Sequence, residues 1–229
     1  MINNVRNTVL SLLNKENRGY ITPEQFNSYA AYAQQTIFNL YFAEYSRMMT
    51  LKNARRLGSD YADRVKEIES SIERFTVIDD ISKSGSSYPK PVDMFKPLSL
   101  RYNDTEIAKI PVGKETFLSK ANLTAPSTSY PVYVDKDNSF TVKPAEITGD
   151  IELVYIRNPR TPKWTYNIIL DEPVFNPSAS DYQDFELGQD GMVALTIEIC
   201  KLAGLTIRDQ EAVSFALQAD ATETQKDNS

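Results

Sequence analysis

The stretch from Tyr20 to Leu57 constrains the fold more than any other, because a complete helix-start signal precedes the longest helical pattern in the chain. Thr22 suits an N-cap. Pro23 occupies the first helical position, where a missing N–H costs nothing, and Gln25 is placed to reach back and complete a capping box. Ile21 and Phe26 add a hydrophobic staple. Phe26, Ala30, Ala33, Ile37, Leu40 and Met48 follow helical spacing, while Tyr29, Tyr32, Phe38, Tyr41, Phe42 and Tyr45 widen the apolar surface beyond one stripe. Such a helix needs partners on several sides. At about 1.5 Å per residue it runs roughly 50 Å, longer than a compact domain requires, which implies contact with another subunit.

Around it the pattern gives an α+β chain. Asn3 to Leu13 reads as a short first helix, with Val5, Val9 and Leu12 on one face. Lys52, Arg55 and Arg56 before Gly58 suit the negative end of the long helix and its C-cap. From Ser59, the residues Tyr61, Val65, Ile68, Ile72 and Phe75 form a narrow seam at spacings of four and three, expected to pack on the long helix. Lys83 to Pro91, with Gly85, two prolines and three serines, reads as a linker. Strands are expected at 98–102, 106–110, 115–118, 130–134, 139–143 and 151–156. The last three form an antiparallel meander with Tyr130, Val132 and Val134 on one face. Asn158 to Phe185 mixes four prolines with five aromatic residues and lacks a helical period, so it reads as an extended arm; its Pro159-Arg-Thr-Pro162 is a PxxP stretch best taken as a stiff connector. Met192 to Leu202 is an apolar helix closed by Gly204, followed by a short helix from Asp209 to Leu217. The expected organisation is a helical unit at 1–78, a linker at 79–91, an inserted antiparallel β-rich domain at 92–157, an arm at 158–188, C-terminal helices at 189–219 that return to the helical unit, and a disordered tail at 220–229.

Chemistry is narrowed by what the 229 residues lack. There is no histidine, so Ser-His and Cys-His mechanisms and imidazole metal sites are excluded. The single cysteine, Cys200, rules out a disulfide framework and sits in an apolar run, as a core cysteine would. Neither a Walker-type nor a dinucleotide-binding glycine pattern occurs. Asn14 to Gln25 mimics a calcium loop, with Gly19 at the sixth position and Ile21 at the eighth. Arg18 and Gln25, however, stand where oxygen ligands and a bidentate Glu are needed. Carboxylates at Asp79-Asp80 and around Asp181, Asp184 and Glu186 read as solvated or turn-forming groups. The expectation is a chain that is not an enzyme, with no cofactor and no metal.

The net charge of −6 divides unevenly: 12 acids against 3 bases from Asp171 onward, and 19 against 22 before it. An acidic rear section disfavours wrapping nucleic acid but suits the lining of a passage that DNA must traverse without sticking. Arg47, Lys52, Arg55 and Arg56 are the candidate DNA-facing residues. Apolar runs stay short of a membrane span and no secretory signal opens the chain, so the expectation is folding in a cytoplasm without membrane contact.

The opening Val9-Leu-Ser-Leu-Leu-Asn-Lys-Glu-Asn-Arg-Gly-Tyr-Ile-Thr-Pro-Glu-Gln-Phe-Asn27, followed by Ala33-Gln34 and Ile37-Phe38, resembles structural proteins of crAss-like podoviruses of gut bacteria. Tyr130-Pro-Val-Tyr-Val134, Tyr155-Ile-Arg-Asn-Pro159, Pro162-Lys-Trp164 and Asp184-Phe-Glu-Leu187 are similar to the same family, so the resemblance spans residues 5 to 217. It implies a ring or adaptor in the virion neck between portal and tail, dodecameric like the portal, assembled in the bacterial cytoplasm and touching the portal and other neck and tail proteins. The arm's rings, Trp164, Tyr166, Phe175, Tyr182 and Phe185, are the candidate subunit interface, because an extended segment cannot bury them on itself. The competing expectation is a tail module that binds a receptor or glycan through the β-rich domain.

Overall fold

The computed structural model describes residues 1–14, 21–53, 61–120 and 125–207, and these divide into two units. The first draws on both ends of the chain, residues 1–71 and 159 onward; the second is Ile72–Asn158.

The first unit is built on helices α1 (Ile2–Asn14), α2 (Pro23–Asn53) and α5 (Met192–Ile207). The capping box at the start of α2 forms as expected: Gln25 N–H donates to Thr22 Oγ1 at 3.2 Å and Thr22 N–H to Gln25 Oε1 at 3.0 Å. Two orphan donors are thereby satisfied reciprocally, while Ile21 and Phe26 are buried on either side of the cap. Along α2, Phe26, Ala30, Ala33 and Ile37 are buried at helical spacing, and the two alanines let a neighbouring helix approach closely. Helix α5 supplies that neighbour to both α1 and α2 through Leu195, Ile199 and Ala203. It runs through Gly204 to Ile207 instead of stopping there, since one glycine costs a helix only about 1 kcal/mol and the flanking residues stay apolar. Helix α3 (Tyr61–Glu73) forms over the expected seam; of the seam residues within it Ile68 is buried and Ile72 half-buried, and the side chains of Tyr61 and Val65 are outside the description. The expected C-cap at Gly58, the helix from Asp209 and the tail lie outside the described residues.

The second unit holds two four-stranded sheets over one core. Strands β1 (Thr76–Ile81), β3 (Met94–Tyr102), β4 (Thr105–Glu106) and β8 (Ile151–Arg157) pair in the order β1-β8-β3-β4. Strands β2 (Tyr88–Pro89), β5 (Ala108–Ile110), β6 (Val132–Asp135) and β7 (Ser139–Lys143) pair as β2-β7-β6-β5, with β5 parallel to β6. Alternation along β8 sends Ile151, Leu153 and Tyr155 inward to meet Tyr88, Leu100, Tyr133 and Phe140. Tyr133 and Phe140 meet edge to face at 5.6 Å, and the buried Tyr88 hydroxyl donates to Gly149 O at 2.8 Å.

Several expectations are corrected here. The hairpin β6–β7 forms, but β8 leaves it and pairs with β1 and β3, so no three-stranded meander exists. Residues 115–118 lie in a helix, α4 (Glu115–Lys120), because Glu115 sits favourably at a helix start directly after a 3₁₀ turn. The segment 79–91 is not a free linker: it completes β1 and supplies β2, with Tyr88 fully buried. On β6 Tyr133 faces the core and Val134 is buried on the opposite face, whereas Tyr130 precedes the strand and is exposed.

Candidate functional site

The arm is anchored inside the first unit, and two amide side chains on α2 do the anchoring. Asn27 and Gln34 are seven residues apart and so share one face of the helix. Asn27 Oδ1 accepts from Trp164 N–H at 2.8 Å and its Nδ2 donates to Trp164 O at 3.1 Å. Gln34, 1% exposed, donates through Nε2 to Arg160 O at 2.8 Å and accepts from Glu186 N–H at 2.9 Å. Each amide thus treats the arm as a sheet strand would, satisfying backbone groups that an extended segment cannot satisfy alone. Lys163 and Gln183 then pair backbone to backbone, and Arg160 N–H donates to Glu186 Oε2 at 2.7 Å.

Between these anchors the arm delivers its rings to the helices. Trp164 is 1% exposed, its Nε1 donates to Asn3 Oδ1 at 3.0 Å, and the Arg6 guanidinium lies 3.8 Å from the ring centroid. Tyr166 and Phe175 stack with it at 5.5 and 5.9 Å, Tyr182 meets Phe175 edge-on at 5.8 Å, and Phe185 is buried. The expectation that these rings are left over for a neighbouring subunit is therefore corrected for Trp164 and Phe185, which fill their own chain's core; Tyr166, Phe175 and Tyr182 are half-buried.

Asp184 closes the anchor. It accepts from the Met1 ammonium at 2.6 Å, from Ile2 N–H at 2.7 Å and from Phe185 N–H at 2.8 Å, acting as an N-terminal cap for α1 delivered from the far end of the sequence. Burial pushes its carboxyl up, but the ammonium and the two amides hold it below the usual carboxylate range. The neighbouring acids are also engaged, Asp181 with Lys163 at 2.6 Å and Glu186 with Arg160.

Beyond the rings the arm runs out as a hairpin, β9 (Tyr166–Ile169) and β10 (Glu172–Phe175). Its two-residue turn, Leu170-Asp171, holds both residues at positive φ, 51° and 61°. Type I′ geometry of this kind favours Asn and Gly, and the β3–β4 turn of the same chain complies with Asn103-Asp104. Leucine there is strained and, at 94% exposure, gains nothing from burial. Ile168 (71%), Ile169 and Val174 are exposed beside it. Sequence reading assigned importance to the arm's aromatic rings and missed these aliphatic residues, as it missed Asn27 and Gln34. The available signal was a leucine in a two-residue turn and two amides at a seven-residue spacing among buried apolar positions.

At the root of the hairpin Glu24, Asn27, Lys163, Tyr166, Asn176 and Asp181 line an open cleft of about 380 Å³. Tyr166 Oη donates to Glu24 at 2.6 Å and holds that carboxyl low. Of the candidate DNA-facing residues, Arg47 is exposed on α2. Lys52 belongs to α2 with its side chain undescribed, and Arg55 and Arg56 lie outside the described residues. Most of the calcium-like loop is outside them too, but the Gln25 carboxamide at its twelfth position is committed to the helix cap. Cys200 is buried, and desolvation pushes its thiol up to about 11, the state of an inert core cysteine. Among the described residues no group of three or more acids and cysteines is placed to hold a metal, and no helix is long and apolar enough to cross a membrane.

The class defined is a mixed chain consistent with α+β, with an N-terminal helix and sheets antiparallel except where β5 meets β6. The chain matches no protein-family model and no curated protein.

Proposed function

We propose that this chain is a virion structural protein that forms a ring in the neck of a tailed bacteriophage, between portal and tail, in the manner of the crAss-like podovirus proteins it resembles. The observation that carries the reading is the run of motifs from Val9 to Leu187, which extends across both units and is not confined to one local site. The architecture supports it: a helical unit with a strained, apolar hairpin standing off it offers the unlike surfaces that a closed ring of heterologous contacts requires. In this reading the ring is dodecameric, meets the portal and other neck proteins, and lets DNA pass through without specific binding; no catalytic role is assigned. Axial class averages of purified virions, or of the protein mixed with portal, test it. A ring at the neck is expected, and its absence from the neck removes the assignment.

A second reading, a receptor- or glycan-binding module of the tail, draws on the cleft at the hairpin root, where amides and carboxylates surround the Tyr166 ring. Binding on a glycan array that is lost in Asn176→Ala would favour it.

A further inference from the structure

We infer that the Tyr166–Phe175 hairpin is the plug by which one copy of this chain seats on the outer stripe of helix α2 of the next copy. The inference deepens the ring reading and rests on it, by naming the two surfaces that meet.

The hairpin cannot be serving its own core beyond its root. Cross-strand partners share a face, so Ile168 with Pro173 projects on one side of the ribbon and Ile169 and Val174 on the other, while Leu170 caps the end. Aliphatic groups therefore face outward on both sides, and among the described residues the ribbon is a sheet of these two strands alone. Exposed aliphatic side chains at the end of a ribbon mark a docking element. The strained Leu170 turn points the same way. Where the chain needs only a turn it places Asn103-Asp104, and a leucine is kept at the tip although glycine or asparagine would fold more easily.

The receiving surface lies on the same helical unit. Along α2, Tyr32 (62% exposed), Leu40 (57%) and Ala43 form a stripe at helical spacing that the described residues leave open, and the stripe runs into the exposed Arg47. The charges match. The hairpin tip carries Asp171 and Glu172 next to its aliphatic residues, and the stripe ends at the exposed Arg47. An acid-tipped apolar plug and a base-ended apolar stripe are complementary, and neither is complementary to itself. The contact is therefore heterologous, plug to stripe, which is the type that propagates around a ring, and not a two-fold pairing of like with like.

The test uses the full chain. One sample carries Leu170→Cys and a second Leu40→Cys, and Cys200 is buried away from both. On mild oxidation the mixture should give covalent dimers and neither sample alone should. Dimers from Leu170→Cys alone would mean tip-to-tip pairing and overturn the inference, as would no dimer at any attainable concentration, free or on the portal. Leu170→Gly suits the turn, so it should keep or raise the monomer melting temperature while weakening self-association on the order of tenfold. Asp171→Arg with Glu172→Arg should weaken it similarly, and Arg47→Glu should restore it; restoration failing would overturn the assigned stripe. Rings on the portal that ignore all these substitutions would retain the neck reading and overturn this contact. Plug-to-stripe dimers without any ring on the portal would retain the contact and remove the neck reading.

Discussion

The root and the tip of the arm are a few residues apart, share its composition, and have opposite fates. At the root the backbones of Arg160, Trp164 and Glu186 find side-chain partners and the Trp164 and Phe185 rings sink into the core; at the tip the backbone is self-sufficient as a hairpin and the aliphatic side chains stand in water. The difference shows that apolar content alone does not decide burial. What decides it is whether the helices offer hydrogen-bonding groups that let an extended backbone come close, and Asn27 and Gln34 offer them at the root only.

Breaking the root should have the largest effects. Trp164→Ala removes a ring packed against Arg6, Tyr166 and Phe175 and should cost about 4 kcal/mol, read as a loss of the urea midpoint or outright failure to fold. Gln34→Ala leaves Arg160 O and Glu186 N–H in a sparsely hydrated site and should cost about 2–3 kcal/mol by the same measurement. Asp184 sharpens the comparison through pH. Its folded pKa lies below the ordinary 3.8, so its contribution is complete above that value and fades as pH falls through the lower folded value. Asp184→Asn should remove that acid-side fall together with about 1 kcal/mol at neutral pH, after allowance for partial exposure. The tip should respond least, and with reversed sign: Leu170→Gly should stabilise the monomer by about 0.5 kcal/mol by relieving the left-handed leucine. A destabilisation there would mean the tip has a place in its own chain's core.

How far the sequence could be read follows the reach of each interaction. The start of α2 was legible because Thr22, Pro23 and Gln25 act within one helical turn. The β6–β7 hairpin was legible because alternation and the turn between its strands are local. The pairing of β8 with β1 and β3 was not, since which strands meet depends on packing of the whole core. Helix α4 was misread because Thr116 and Phe117 are residue types that favour a strand, while the placement of Glu115 suits a helix start. At the candidate site the five rings were visible as a cluster, but their destination rested on Asn27 and Gln34, 137 and 152 residues away from the groups they hold. No local rule carries information over that distance.

The first unit's split between the two ends of the chain sets an order of events during synthesis. The segment Ile72–Asn158 leaves the ribosome as a contiguous length with its own strands and core, and is ready to fold while translation continues. Helices α1 and α2 emerge earlier yet must wait, their apolar faces open, until the arm and α5 follow. The middle of this protein is thus expected to mature before its beginning, and the interval is when a nascent chain of this design is most exposed to chaperones, or to premature capture by a neighbour on the same polysome.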